Sequence, residues 1–135
     1  MKKSILLMPL AALTLSACEE PAATPVVEES IGDYSAIGTQ PGWTVEIKDE
    51  QIAFTSQNGK DFKLAVQRAK KTDSGWEVRG FSDLHNININ ITSGAECSDG
   101  MSDRTYADTV KVEASDSGML NGCGGAFTEG PDGPP

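Results

Sequence analysis

The residue types that could do chemistry are concentrated in one run, Cys97 to Tyr106, which reads Cys-Ser-Asp-Gly-Met-Ser-Asp-Arg-Thr-Tyr. A second cysteine, Cys123, follows downstream among glycines, in the sequence Gly-Cys-Gly-Gly. Such a run could supply a reactive thiol, carboxylate ligands for a metal ion, or a loop that binds a partner. Which of these applies depends on the elements that hold the run in place.

The run contains the side chains of a candidate binding loop: Asp99, Met101, Asp103 and Arg104. Asp and Gly are also turn formers, because Asp closes Asx turns and Gly tolerates positive φ. A calcium site is less favoured, since the spacing of the acids matches no EF-hand loop, and we predict no metal or other cofactor. A short helical turn from Ser102 to Tyr106, capped by Ser102, is a further expectation.

The N-terminal segment is typical of an export signal. Lys2 and Lys3 make its start basic, and residues 5–15 form an apolar run shorter than the roughly 20 residues that span a bilayer. The run ends in Leu-Ser-Ala-Cys at residues 15–18, which resembles the bacterial lipobox. The resemblance implies a signal peptide at 1–17, cleavage before Cys18, and acylation of that residue by palmitate-like chains.

Lipidation at Cys18 predicts a durable membrane anchor, because two or more acyl chains hold firmly where one does not. Glu19 follows the cysteine, whereas Asp at that position retains lipoproteins at the inner membrane of enteric bacteria. We therefore expect the outer membrane, with the domain facing the periplasm. The alternative is an ordinary secreted protein in which Cys18 is a free thiol.

The folding unit is expected between two low-complexity ends. Residues 18–31 comprise the lipidated cysteine and a tether rich in Pro, Ala and Glu. Residues 129–135 are rich in Gly and Pro and predict a disordered tail. The intervening residues 32–128 are long enough for one domain.

Within this domain the apolar residues recur with a period of two, which is typical of β-strands. The clearest example is residues 86–92, where three isoleucines alternate with three asparagines. Asp49-Glu50 permits a turn, and Asn58-Gly59 is a strong hairpin signal, because both of its residues tolerate positive φ. About seven to eight short strands separated by turn signals predict an all-β domain, either a small antiparallel barrel or a sandwich.

The cysteine count predicts one disulfide. Cys97 and Cys123 remain as a pair once Cys18 is acylated, and export brings both into an oxidising compartment. A bridge would close a loop of about 27 residues and stabilise the domain by about 3 to 4 kcal/mol. The alternative, a reactive thiol, is less favoured because neither residue belongs to a Cys-x-x-Cys motif or adjoins a basic cluster.

The charge of the chain argues against one class of partner. The formal charge is -9, and removal of Lys2 and Lys3 with the signal peptide takes it to -11. Nucleic-acid binding is not expected, because it depends on Lys and Arg that displace counterions from phosphates. Charge does not favour anionic lipid headgroups either, so the expected membrane contact is the lipid on Cys18.

Three spaced motifs resemble a family of small bacterial envelope proteins, described as uncharacterised lipoproteins or predicted membrane proteins. The family patterns are G-T-E-P-G/F-W, C-x-D-G-M-S-D with a following Y, and L-x-G-C. The matching segments are 38–43, 97–106 and 120–123, within a likeness that covers about residues 34–125. Gln40 and Ala107 depart from the family's Glu and Pro. The family implies no established reaction, so no catalytic role is carried over.

We therefore predict a non-catalytic binding or interaction module whose ligand is an envelope protein or a glycan. One alternative is an inhibitor of an envelope or host hydrolase. Another is a small hydrolase that uses His85, the only histidine, although no Gly-x-Ser-x-Gly elbow accompanies it.

Two further groups of residues have both a binding and a structural interpretation. The asparagines of the isoleucine strand either offer amides to a sugar or peptide or form the solvated face of a half-buried strand. Trp43 and Trp76 either form a ligand platform or pack in the core, and the core is favoured. The asparagines are Asn86, Asn88 and Asn90.

Overall fold

A computed structural model describes residues 30–59 and 61–130 of the 135-residue chain. The predicted signal peptide at 1–17, Cys18, most of the tether at 18–31 and most of the tail at 129–135 lie outside these residues. Within the two described ranges, no helix is long and apolar enough to cross a membrane.

The described residues form nine β-strands and no helix, which confirms the predicted all-β class. The strands are β1 Tyr34–Thr39, β2 Gly42–Lys48, β3 Gln51–Ser56, β4 Phe62–Ala65, β5 Arg68–Lys71, β6 Gly75–Phe81, β7 Asn86–Ser98, β8 Thr105–Ala114 and β9 Gly118–Thr128.

The alternation of apolar residues in the sequence does not predict two of the nine strands, β1 and β5. β1 buries only Ala36 and Gly38, and β5 buries only Ala69. Because these residues are small, neither segment has the alternation of large apolar side chains that identifies the other strands. The predicted helical turn from Ser102 to Tyr106 is wrong, since Tyr106 already belongs to β8.

The strands form one antiparallel sheet in the order β4-β3-β2-β1-β9-β8-β7-β6-β5. β4 and β5 lie at its two ends, yet only Val66 and Gln67 separate them in the chain. Val66 N donates a 2.9 Å hydrogen bond to Glu50 O, and Gln67 N donates a 2.8 Å bond to Arg79 O. The sheet therefore curls until this one segment bridges its ends, which favours the barrel over the sandwich.

Apolar side chains fill the concave side of the sheet. In β7 the predicted alternation is observed: the isoleucines at 87, 89 and 91 are buried, whereas Asn86 and Asn90 are exposed and Asn88 is half-buried. Trp43 is buried, and Trp76 packs against the core, so both have the structural role that was favoured. Other fully buried side chains are Val45, Ile47, Ile52, Phe54, Val78, Val110 and Val112.

The turns differ in part from the sequence prediction. The two-residue turn with positive φ is Asp49–Glu50, at 51° and 60°. Asn58 and Gly59 lie within the longer connection between β3 and β4. The register of β2 with β3 continues to the pair Lys48 and Gln51. Only Asp49 and Glu50 therefore remain to reverse the chain.

Candidate binding loop

The disulfide between Cys97 and Cys123 is formed, as predicted, with the two Cα atoms 5.6 Å apart. Cys97 lies at the end of β7, whereas Cys123 pairs with Thr109 of β8 on one side and Ile37 of β1 on the other. The bond therefore reaches across β8. It fixes residues 99–104, which we call the 99–104 loop, beside the first and last strands.

Asp99 organises the 99–104 loop through both its backbone and its side chain. Its carbonyl oxygen accepts a 2.8 Å hydrogen bond from Thr39 Oγ1 in β1. Its Oδ1 accepts bonds from the amides of Met101 and Ser102, at 2.9 and 2.8 Å, and its Oδ2 accepts one from Ser102 Oγ at 2.8 Å. The Ser102 amide, more than the other donors, lowers the pKa of Asp99. Gly100, at φ 76°, permits the tight turn between them.

Arg104 is held at the other end of the loop. Its Nε donates a 2.9 Å hydrogen bond to Glu129 Oε1, and its guanidinium lies 4.4 Å from the centre of the Phe127 ring. The Phe127 ring in turn packs at a tilt against Tyr106. Charge pairing and cation–π attraction both orient the guanidinium, so Arg104 braces the loop.

The four predicted binding residues are thus brought together, but they divide into two kinds. Asp99 and Arg104 are engaged within the protein. Met101 and Asp103 face solvent, and Met101 is 76% exposed. A cleft of about 310 Å³ adjoins the loop and is lined by Thr39, Gln40, Ser98 and Asn121 among others.

The glycines around Cys123 make room for parts of the protein itself. A methyl group at Gly122 would overlap the carbonyl oxygen of Ile37 and the ring of Trp43. The Trp43 indole fits there and donates a 3.3 Å hydrogen bond to Asn121 O. Glycine permits close approach of another group to its backbone, and at Gly122 the approaching groups are backbone and an internal indole.

Gly124 and Gly125 make room for a pair that the sequence analysis missed. Tyr34 Oη donates a 2.8 Å hydrogen bond to Oδ2 of Asp108, which is buried. A methyl group at Gly124 would lie 2.5 Å from Tyr34 Oη, and one at Gly125 would lie 2.5 Å from Asp108 Oδ2. Burial, followed by the contact with Asp108, raises the pKa of Tyr34.

The sequence contains a pattern that indicates that Asp108 is buried. It occupies an inward position of β8, in phase with Tyr106, Val110 and Val112, all of which are buried. A carboxylate on the buried side of a strand needs a hydrogen-bonding partner. The partner lies 74 residues earlier, however, so its identity depended on the three-dimensional structure.

His85 lies at a different place, in the connection between β6 and β7. Its Nδ1 is 3.1 Å from Asp116 Oδ2, and its ring stacks on Phe62 with the centres 4.6 Å apart. Among the described residues, no hydroxyl group hydrogen-bonds to the other ring nitrogen. Within the same ranges, no group of three or more His, Cys, Asp and Glu residues is placed to hold a metal ion.

Comparison with protein-family models, with curated proteins and with solved structures finds no match to this chain.

Proposed function

We propose that this protein is a lipid-anchored, non-catalytic binding module of the bacterial cell envelope that presents the 99–104 loop to an envelope protein. One observation carries the proposal. Met101 is 76% exposed at the centre of a loop that a disulfide, a contact with β1 and an ion pair hold in place.

Bracing matters because ordering a mobile loop on binding costs free energy, about 0.5–1.5 kcal/mol for each immobilised side chain. The 99–104 loop is already ordered in the folded protein, by hydrogen bonds to the carboxylate of Asp99 and by the disulfide between Cys97 and Cys123. The unbranched thioether of Met101 adapts its shape to an apolar pocket. The partner we propose is therefore a protein with a small apolar pocket.

The lipobox supports the location of this activity. A lipid on Cys18 would hold the domain at a membrane, with the outer membrane favoured by Glu19. The roughly 13 residues from Cys18 to Ile31 span at most about 45 Å when fully extended. The surface of the partner that meets the 99–104 loop would then lie within the reach of the tether plus the width of the domain from the membrane.

An inhibitor of an envelope or host hydrolase is the nearest alternative, because it would use the same loop against an enzyme. A hydrolase that uses His85 has one supporting observation, the 3.1 Å contact between the imidazole and Asp116, which resembles a base oriented by a carboxylate. It is the weaker candidate, because the ring packs flat on Phe62 and no hydroxyl of the described residues contacts it.

The test is site-specific photo-crosslinking in intact cells, with the crosslinking residue placed at 101 or at 119. Met119 is a matched control, since it is a second methionine and is 62% exposed at the start of β9. We expect a discrete crosslinked protein from position 101 and not from 119, and its loss when Asp99→Ala loosens the loop. Equal crosslinking from both positions would contradict the proposal.

The identity of the captured protein separates the alternatives. A hydrolase that the purified protein inhibits would establish the inhibitor. Turnover of an envelope substrate by the purified protein, abolished in His85→Ala and retained in Met101→Glu, would instead establish an enzyme.

A further inference from the structure

Eight of the outward-facing side chains of β5 to β8 form two registered rows. In the first, Arg68 lies opposite Arg79, which is followed by Asn88 and Glu113 on the next strands. In the second, Lys70 lies opposite Glu77, followed by Asn90 and Lys111. We call these eight residues the outer grid. We infer that the outer grid is a binding surface for an anionic carbohydrate, separate from the 99–104 loop.

The grid is positive on an acidic protein. It contains four cations and two carboxylates, a net charge of +2, whereas the whole chain carries -9. All four cationic side chains are exposed. A local excess of positive charge attracts anions by complementarity even when the molecule as a whole is acidic.

The arrangement of the cations is unfavourable without a ligand. Arg68 and Arg79 lie directly opposite each other on neighbouring strands, and like charges in that position destabilise a sheet. Glu77 compensates only one of them, through a 3.1 Å contact with Arg79 Nη2. Among the described residues, Arg68, Lys70 and Lys111 form no ion pair. A bound anion would relieve the repulsion between the two guanidinium groups.

The asparagines indicate the remaining chemistry of the ligand. Asn88 lies between Arg79 of β6 and Glu113 of β8, and Asn90 lies between Glu77 of β6 and Lys111 of β8, so each asparagine has one cationic neighbour. An amide both donates and accepts, which suits hydroxyl groups, whereas guanidinium and ammonium groups only donate and suit carboxylate or sulfate. Asn88 Oδ1 is buried and has no hydrogen-bond partner among the described residues. Hydroxyls and acid groups occur together in acidic sugars.

The grid suits a polymer better than it suits a protein. Strands lie about 4.8 Å apart, so the four strands present a polar surface about 14 Å wide. None of its eight residues is apolar, whereas the buried centre of a protein interface is depleted in charge and rich in apolar side chains. A chain of acidic sugars would need no such apolar centre.

The experiment measures binding of the full-length protein, purified in a neutral detergent, to polygalacturonate and to uncharged dextran. We expect binding to polygalacturonate only, weakened at least about tenfold when the ionic strength rises from about 0.01 M to about 0.15 M, because the Debye length then falls from about 30 Å to about 8 Å. Equal binding to dextran, or no binding to polygalacturonate at the lower ionic strength, would overturn the inference.

Two double variants localise the site. Arg68→Gln with Arg79→Gln should weaken binding at least about tenfold, as expected for loss of two charge-assisted contacts. Lys48→Gln with Lys63→Gln removes the same charge from β2 and β4 and should leave binding unchanged. A similar loss in both would mean attraction by net charge alone.

Two further measurements separate carbohydrate binding from a change in stability and from binding to membranes. The melting temperature of the arginine variant should equal or exceed that of the parent, because the opposed pair is removed; a clear decrease would give the arginines a structural role and contradict the argument. Vesicles of phosphatidylglycerol, tested with the same variants, should bind less than polygalacturonate does. Tighter binding to vesicles through the same arginines would make the surface a membrane contact.

Discussion

Tyr34 Oη donates a 2.8 Å hydrogen bond to Asp108 Oδ2, and this bond joins the first strand to the eighth across β9. The ladder between β1 and β9 has only two registered pairs, at Ala36 and Ile37. Three side-chain hydrogen bonds lie around this short ladder: Tyr34 bonds to Asp108 of β8, Thr39 bonds to the carbonyl of Asp99 in the 99–104 loop, and the Trp43 indole of β2 bonds to Asn121 O of β9. Side-chain contacts therefore help to hold β1 against the strands that follow it in the sheet.

Tyr34→Phe should destabilise the domain by about 1–3 kcal/mol, because it leaves the buried Asp108 carboxylate without its hydroxyl donor. Urea unfolding of parent and variant measures the loss. Tyr34→Phe combined with Asp108→Asn should recover part of it, since a neutral amide costs less to bury than a carboxylate. A variant as stable as the parent would contradict the role assigned to the bond.

The same phenol gives a prediction at alkaline pH. Its pKa is raised in the folded protein, by burial first and then by Asp108, whereas an unfolded tyrosine titrates near 10. The contribution to stability is therefore complete below about pH 10 and is lost as the pH rises above that value towards the folded pKa. In a Tyr106→Phe background, which leaves one tyrosine, phenolate absorbance should appear only with unfolding. Titration of folded protein near pH 10 would refute this.

The disulfide should account for a large part of the stability. Replacing both Cys97 and Cys123 by Ala should lower the free energy of unfolding by about 3 to 4 kcal/mol, as the chain-entropy model gives for a loop of this length. Reduction of the parent should give a similar loss. The measurement is urea unfolding with and without reductant, and the double variant, insensitive to reductant, is its control.

Asp99→Ala should release the 99–104 loop with little effect on the rest of the domain. Its carboxylate accepts three hydrogen bonds within the loop, like a helix cap, and such caps contribute about 1 kcal/mol, less where solvent screens them. Amide exchange at Met101 and Ser102 should accelerate, while the core strands are unchanged. Asp103→Ala is the control, since its side chain is exposed and makes no hydrogen bond within the described residues.

The pKa of Asp99 determines how amide exchange in the 99–104 loop should change with pH. The pKa of Asp99 is lowered in the folded protein, chiefly by the amide of Ser102, so its contribution is present above the unfolded value near 3.9 and is lost as the pH falls through the folded pKa. The loop should therefore stay ordered at neutral pH and loosen below about pH 4. Loosening at a higher pH would assign the order of the loop to another group.

Cys18→Ser should abolish incorporation of radiolabelled palmitate and release the protein from membranes, because acyl chains supply the proposed anchor. Cell fractionation and labelling measure both effects. Cys97→Ser, which removes a different cysteine, should leave labelling intact. Continued labelling of the Cys18 variant would exclude Cys18 as the acylated residue.

The sequence by itself determined the class of fold and the cysteine pair. Alternation with period two is a local property, so the isoleucines of β7 identified a strand and its buried face. The small buried residues of β1 and β5 gave no such signal, so only the structure revealed these strands.

Tertiary structure alone decided what lies beside what. The sequence placed Asp99 and Arg104 in one loop. Only the folded structure shows that these two side chains make contacts that hold the loop in place, whereas Met101 is exposed. Register decided that Arg68 meets Arg79, and the insertion of β9 between β1 and β8 decided that Tyr34 meets Asp108. These relationships depend on the order of the strands in the sheet or on the register of neighbours, and no local period encodes them.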